Sequence, residues 1–334
     1  MKRALPALAL VAFAVCLLGT PARADPLDPP PGNRPVHVSV GVYIRNLSAI
    51  DERSESVSVV ADLNARWRDA RLAHAGDLKL VDPASIWTPE FAIANAKTPR
   101  QVAQRLARVA ADGTVDYAER FAADLSISLA LKRFPFDSQR LDLAVQSFAD
   151  DAGTVVLGPG GALAGRTTDA YAPLSEWSFG RLTSYVALDR SGSRGRDYSR
   201  YVLSVHLKRH PGFYIWKVFV PLLLFAILAW SALLIDFAEF QAAIGVAITS
   251  LLSAVAYSFV INGDLPKVSY VTLTDGFLFL CYLVVFATIL ALVGLHVIHA
   301  RGDRTRADTY RRASLAIMPL AFAAGVAVVA LTTL

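Results

Sequence analysis

The sequence predicts two domains of different class: an all-β immunoglobulin-like sandwich, then an all-α domain of four membrane-spanning helices. Three observations lead there. From Val36 to Arg209 the chain runs in short alternating stretches rich in β-branched and aromatic residues, cut by Gly, Pro, Asp and Asn. After His210-Pro211 it changes to four long apolar runs, each near the ~20 residues that cross a bilayer. Mean hydropathy is +0.42 over 334 residues, high for a soluble protein, and the apolar excess sits in the last third.

Residues 1–24 read as a secretory signal peptide. Lys2 and Arg3 give a charged start, Leu5 to Leu18 an apolar core, and Ala22-Arg23-Ala24 a small-x-small cleavage site. The alternative, a first transmembrane helix, would need a longer apolar run. Asp25 to Pro35 is a proline-rich leader that neither continues a helix nor enters a central strand. The β domain is expected over residues 25–210. Its strands include Val36–Ile44, Ser56–Trp67, Phe121–Leu131, Arg140–Phe148 and Tyr201–Arg209. Many short strands at this spacing suggest a sandwich. Pro99–Ala111 has helix-like spacing and is expected as a loop or edge strand. Cysteine stands only at positions 16 and 281, so the β domain has no disulfide, thiol chemistry or cysteine metal site. Its stability must come from a core, for which about 185 residues suffice.

The helical domain is expected over residues 211–334, with spans at about 212–235, 241–262, 270–298 and 312–333. Pro221 and Pro319 lie inside spans, where neighbouring helices re-satisfy the freed carbonyls. The loop between the third and fourth spans carries Arg301, Arg304, Arg306, Arg311 and Arg312. This positive-inside bias places that loop in the cytoplasm and the sandwich outside the plasma (inner) membrane. The net charge of +5 does not point to nucleic acid, because the arginines are dispersed and no nucleic-acid motif accompanies them. No nucleophile–base or metal constellation suggests an enzyme, and no cofactor or metal site is expected. A transporter would usually need more spans or broken helices.

The second span, Gln241 to Asn262, is unusual for a helix facing lipid. Thr249, Ser250, Ser253 and Ser258 sit among alanines. Gly245, Thr249, Leu252, Ala256 and Phe259 follow one another at spacings of 4, 3, 4 and 3, a continuous helical stripe. It is small and polar at its first end and bulky and apolar at its second. One reading is a bundle helix packing small residues against neighbours. The other is a helix lining a pore, where hydroxyl rings carry hydrated ions and apolar rings close by dewetting.

Several motifs resemble the pentameric ligand-gated ion channels, the Cys-loop receptor superfamily, over nearly the whole mature chain. Phe134-Pro135-Phe136-Asp137 is similar to the tip of the family's signature loop. The positions matching its flanking disulfide are Ile127 and Leu141, so the resemblance is to the prokaryotic, cysteine-free branch. Asp112 to Phe121 (DGTVDYAERF) also looks prokaryotic, and Trp67-Arg68-Asp69 and Trp87-Thr88-Pro89-Glu90 resemble two tryptophan motifs of the family. Ile50 to Arg53 resembles its acidic loop, Lys208-Arg209 the basic pair before the first span, and Leu265-Pro266-Lys267 the loop after the second. Read without the family, Trp67 and Trp87 are core tryptophans, and Glu52, Asp137 and Arg209 are either solvated surface charges or a desolvated cluster.

The resemblance implies a subunit of a homopentameric channel in a lipid bilayer, conducting monovalent ions and opened by a small-molecule agonist or by protons. It implies pore rings of Gly245, Thr249, Leu252, Ala256 and Phe259, with Leu252 and Phe259 as gates. Coupling residues would be Glu52, Phe134, Pro135, Phe136, Asp137, Arg209, Pro266 and Lys267. Ligand walls would include Glu90, Phe91, Phe148, Tyr185, Tyr198 and Tyr201, under a hairpin at Leu188–Tyr201, faced by Asp62 and Asn64 of a neighbour. Aromatic walls suit a cation, but Asp62 and Phe148 replace aromatic residues common there. Glu239 and Asp236, below Gly245, favour cation selectivity. An anion-selective relative or a non-conducting receptor are the alternatives.

Overall fold

Alternation of side-chain character builds the first domain. The computed structural model describes residues 26–32, 35–48, 50–160, 165–166, 176–190, 195–264 and 268–333. The expected signal peptide, residues 1–24, lies outside them. The strands are β1 (Val36–Leu47), β2 (Ser56–Arg68), β3 (Lys79–Val81), β4 (Phe91–Ile93), β5 (Gln101–Val109), β6 (Thr114–Ser126), β7 (Ser138–Ser147), β8 (Val155–Pro159), β9 (Gly165–Arg166), β10 (Trp177–Asp189) and β11 (Tyr198–Arg209). One sheet runs β3-β5-β6-β2-β1-β8, with β9 also on β1; the other runs β10-β11-β7-β4. Strands β8 and β9 join β1 in parallel, while the other pairings are antiparallel.

Strand β2 shows how sequence becomes core. Val57, Val59, Ala61, Leu63, Ala65 and Trp67 are all buried, and the residues between them face outward. A two-residue period puts alternate side chains on one face. Trp67 meets Trp87 edge-on at 5.8 Å between ring centroids and lies 6.1 Å from Tyr117. The β5–β6 turn needs glycine at 113: its φ is +82°, and a Cβ there would stand 2.4 Å from the Asp69 carbonyl oxygen.

Two strand expectations change. Pro99–Ala111 contains strand β5, which lies between β3 and β6. A bulge between Val102 and Gln104 interrupts its pairing with β6, and Ala107 and Val109 are its buried residues, while Leu106 lies on the other face. The expected strand Phe121–Leu131 is the second half of β6 and then unpaired extended chain. Ile127, Leu129 and Leu131 continue the buried alternation beyond the ladder. There the Gln139 side chain takes over from a neighbouring strand, bonding Ala130 N–H at 2.9 Å and Ala130 C=O at 3.1 Å.

Four helices long and apolar enough to cross a membrane follow: Gly212–Leu234, Phe240–Asp264, Leu273–Ala300 and Arg304–Thr333. Capping fixes two starts that hydropathy misplaces. Thr272 and Asp275 form a reciprocal capping box, so the third span begins at Leu273 rather than near 270. Asp303 accepts from Arg306 N–H at 3.0 Å, so the fourth helix begins at Arg304, eight residues before its apolar stretch. Third and fourth spans approach closely at glycine: a Cβ on Gly325 would lie 2.5 Å from Leu280 Cδ1.

Candidate functional site

Where the sandwich meets the helices, three distant charges converge. Arg209 ends β11, Asp137 precedes β7, and Glu52 lies in the β1–β2 loop. The Arg209 side chain is fully buried. Its Nε donates to Asp137 Oδ1 at 2.7 Å and its Nη1 to Glu52 Oε1. The Asp137 carboxylate also accepts from Gln139 at 2.5 Å. Aromatic rings close the guanidinium in, with Trp177 at 4.1 Å, Phe134 at 4.8 Å and Tyr214 at 5.6 Å from its central carbon. Trp177, the first residue of β10, is a member that sequence reading missed. Burial lifts the Glu52 carboxyl above the ordinary carboxylate range, and the attraction of Arg209 does not offset it.

The Phe134-Pro135-Phe136 tip is bonded to the spans. Phe134 is buried and meets Tyr214 of the first span edge-on at 4.6 Å. Phe136 is half exposed and 6.3 Å from Phe219. Pro135 follows a cis peptide bond. Leu273 N–H donates to the Lys132 carbonyl and Thr274 Oγ1 to the Phe134 carbonyl, both at 3.0 Å. Leu131 N–H donates to the Tyr270 hydroxyl, also at 3.0 Å. Hydrogen bonds thus run from the loop before β7 directly into the start of the third span. Pro266 and Lys267 lie outside the described residues.

On the second span, Gly245, Thr249, Leu252, Ala256 and Phe259 are all exposed, Leu252 at 66% and Phe259 at 74%. Glu239 and Asp236 are exposed below them. The opposite face, Ala243, Ala247, Ser250, Ala254 and Ser258, is buried against the other spans. Ser250 and Ser258 turn their hydroxyls back onto their own helix, to the Val246 carbonyl at 2.8 Å and the Val255 carbonyl at 2.7 Å.

The residues expected as ligand walls are not all surface groups. Phe91 and Tyr201 belong to the sandwich core and Tyr198 is buried, while Glu90, Phe148 and Tyr185 are exposed. Glu90 holds a φ of +43°, rare for a residue with a long side chain. Its carbonyl accepts from Phe148 N–H at 3.0 Å. Glu90, Phe91 and Phe148 line an open cavity of about 840 Å³ shared with Trp87, Arg100 and Tyr117. Beneath it the buried Glu119 accepts from Arg100 Nε and from the Tyr117 hydroxyl, each at 2.7 Å. Burial, then the Glu119 charge, push the Tyr117 hydroxyl well above its usual range. Tyr117 and Glu119, two apart on β6, share the core-facing side; a carboxylate at an apolar-parity position was the available signal.

Asp62 and Asn64 lie on the outer face of β2, in the other sheet, and one chain does not bring them to Glu90 and Phe148. Arg45 Nε at 2.6 Å and Arg120 Nε at 2.8 Å both donate to the Asp62 carboxylate. Burial alone would raise the Asp62 carboxyl, but the two guanidiniums outweigh it and hold it below its usual range.

Comparison with known proteins finds two family matches along the chain. Residues 24–211 match the family model "Neurotransmitter-gated ion-channel ligand binding domain", and residues 218–326 match "Neurotransmitter-gated ion-channel transmembrane region". A "Proton-gated ion channel" of Gloeobacter violaceus is 28% identical over 305 residues, covering 89% of this chain and 84% of that protein. A "Gamma-aminobutyric acid receptor subunit beta-like" protein of Drosophila melanogaster is 28% identical over 286 residues, 79% of this chain and 57% of its own length. "Gamma-aminobutyric acid receptor subunit beta-4" of Gallus gallus is 26% identical over 304 residues, 87% of this chain and 61% of its own.

Proposed function

Since the chain belongs to the neurotransmitter-gated ion-channel family, the pentameric ligand-gated channels, we propose that it is one subunit of a homopentameric, cation-selective channel whose second span lines the pore. Family members are channels and not enzymes, and the chain is a multi-pass membrane protein with its N-terminal ligand-binding domain outside the cytoplasm. The observation that carries the proposal is the exposed stripe from Gly245 to Phe259. One chain leaves it uncovered, and a closed ring of five copies turns it inward. Thr249 then offers hydroxyls to hydrated ions, while Leu252 and Phe259 supply apolar rings that shut by dewetting. Glu239 and Asp236 at the cytoplasmic mouth favour cations.

Residues 25–210 form the ligand-binding domain in this reading, and residues 211–334 the transmembrane domain. Protons are the first stimulus to test, because a relative matched along most of both chains is named for proton gating. The buried Glu52, whose carboxyl burial raises above its usual range, supports it from inside the molecule. A small-molecule agonist is the second reading, and the positive-φ Glu90 beside the exposed Phe148 favours it. Its wall would be Glu90, Phe148 and Tyr185 of one subunit with Asp62 and Asn64 of the next. Either stimulus works by favouring the open population. Glu52, Phe134 to Asp137, Arg209, Pro266 and Lys267 would carry the change to the spans. Voltage-clamp recording with pH jumps and a panel of amines and carboxylates tests the stimulus, and reversal potentials in salt gradients test selectivity. Purified protein in mild detergent should have five times the subunit mass. A monomer or dimer that conducts would overturn the assembly, and a chloride-following reversal potential the selectivity.

A further inference from the structure

Pro221 interrupts the first span, and a proline inside a helix removes one backbone donor. In an unbroken α-helix the group that would lose its partner is the carbonyl four residues earlier, that of Lys217. Hydrocarbon supplies no water to replace it. Two features meet this position. Ile215–Phe219 is wound as a π-helix, with Val220 N–H donating to the Ile215 carbonyl. The Tyr257 hydroxyl of the second span donates to the Lys217 carbonyl. Phe225, one turn beyond Pro221, holds the Tyr257 ring edge-on at 6.1 Å and 71°.

We propose that Tyr257 is a positioning residue that latches the outer half of the second span to the first, at the backbone vacancy Pro221 creates. Among the described residues this is the one side-chain hydrogen bond between the two spans. The face around it offers no substitute: Ala247 and Ala254 have no donor, and Ser250 and Ser258 bond their own helix. Tyr257 directly follows Ala256 and is two residues from Phe259. Rotation or tilt of that part of the exposed stripe must therefore carry the hydroxyl with it or break the bond. The latch goes beyond the channel reading, because it fixes one helix on another whatever passes along the stripe.

The test is a double-mutant cycle on the full-length protein in detergent micelles, read by hydrogen–deuterium exchange of the segment 213–222. Tyr257→Phe keeps the ring and removes only the hydroxyl. Exchange of that segment should rise about three- to tenfold, the range for an interhelical hydrogen bond in a membrane protein. Pro221→Ala restores a donor at 221, which in the α-helical register reaches the Lys217 carbonyl, so in that background Tyr257→Phe should change exchange less than about twofold. If Pro221→Ala does not assemble, Pro221→Leu serves the same purpose. An equal rise in both backgrounds would mean that the hydroxyl acts elsewhere, and no rise in the parent would mean that there is no latch; either result overturns the proposal. The readout needs no agonist and no current, so it fails or succeeds independently of the channel reading.

Discussion

Strand β2 and the second span are both amphipathic, yet they use their two faces differently. In β2 the apolar face from Val57 to Trp67 is covered by the same chain, and the sandwich core extends from Val36 to Leu207. In the second span the covered face is alanine and serine, while Leu252 and Phe259 stand exposed. Over residues 311–332 the fourth helix buries no residue within the chain. The sandwich thus contains the partners it needs, whereas the helices leave apolar faces that the chain itself does not cover. A substitution in the sandwich core should therefore be read mainly in stability. One on the exposed stripe should be read mainly in function. The junction belongs to both regions, and it is where that rule can be broken.

The largest effect expected is at Arg209. Arg209→Ala leaves Glu52 and Asp137 buried without their cation, and breaking a buried pair this way costs about 3–5 kcal/mol. Loss of stacking on Trp177 and Phe134 adds to it. Thermal melting of the detergent-solubilised protein should drop sharply, and any surviving channel should lose its response. A variant with unchanged melting and unchanged gating would show that the junction is not the mechanical link between the two regions. Arg209→Lys should recover little, since one ammonium cannot reproduce the paired donors to Asp137 and Glu52.

Leu252→Ser tests the other region. A hydroxyl ring invites water into an apolar constriction, so the open state should be favoured by about tenfold, seen as a lower stimulus midpoint and a higher resting current. Melting should move little, because Leu252 is exposed in the single chain. Ser253→Ala, one position off the stripe, should do much less. Gain of function at Ser253 or Leu251 with a silent Leu252 would rotate the stripe by one residue.

How far these residues could be read from sequence follows from the same contrast. Alternation disclosed β2, since each buried position is apolar and the intervening ones, Val60 apart, are polar or charged. The apolar lengths disclosed four spans, and the 4-3-4-3 spacing disclosed the exposed stripe. The start of the fourth helix was hidden because hydropathy registers the run from about 312 onward but not a cap at Asp303. Strand β5 was expected only as a loop or edge strand, because Val102, Leu106 and Val109 stand at helical intervals although Leu106 and Val109 face opposite sides of it. The inward side chains of Phe91 and Tyr201 were hidden because their parity depends on where each strand starts. Trp177 is a single residue whose contact with Arg209 depends on β10 pairing with β11, so no local pattern announces it. The Thr274 and Tyr270 bonds to the signature loop arise only when two domains dock.

Acid should bend stability in opposite directions at two carboxylates. Glu52 is raised by burial, so the folded protein takes up this proton more readily than the unfolded chain. Its contribution is fully present below the unfolded value of about 4.3 and is lost as pH rises through the higher folded value. Asp62 is lowered by Arg45 and Arg120. Its contribution is present above the unfolded value of about 3.9 and is lost as pH falls through the lower folded value. Melting curves from pH 3 to 8 should show wild type gaining on Glu52→Gln as pH falls and losing its advantage over Asp62→Asn. Parallel profiles would remove Glu52 from any account of proton sensing.

The smallest effect expected is at Thr274, and it is the most direct measure of how the two regions are joined. Thr274→Val keeps the shape and removes one hydroxyl, leaving the Phe134 carbonyl without that donor inside a buried contact. The cost should be about 1 kcal/mol. If the bond serves only packing, melting falls and the stimulus midpoint stays. If it transmits motion from the signature loop to the third span, the midpoint shifts by about fivefold, the same energy expressed in gating. Tyr270→Phe removes the acceptor for Leu131 N–H three residues before Phe134, so it loads the same loop from its other side. Two contacts that act on gating independently would give additive midpoint shifts, within about 0.5 kcal/mol. Two anchors of one moving loop would give a double variant little worse than the poorer single, because the loop detaches once either anchor is gone. Additivity would therefore make the junction a set of separate contacts, and its failure would make the loop from Leu131 to Asp137 a single lever between a self-contained sandwich and helices whose outer faces the chain leaves open.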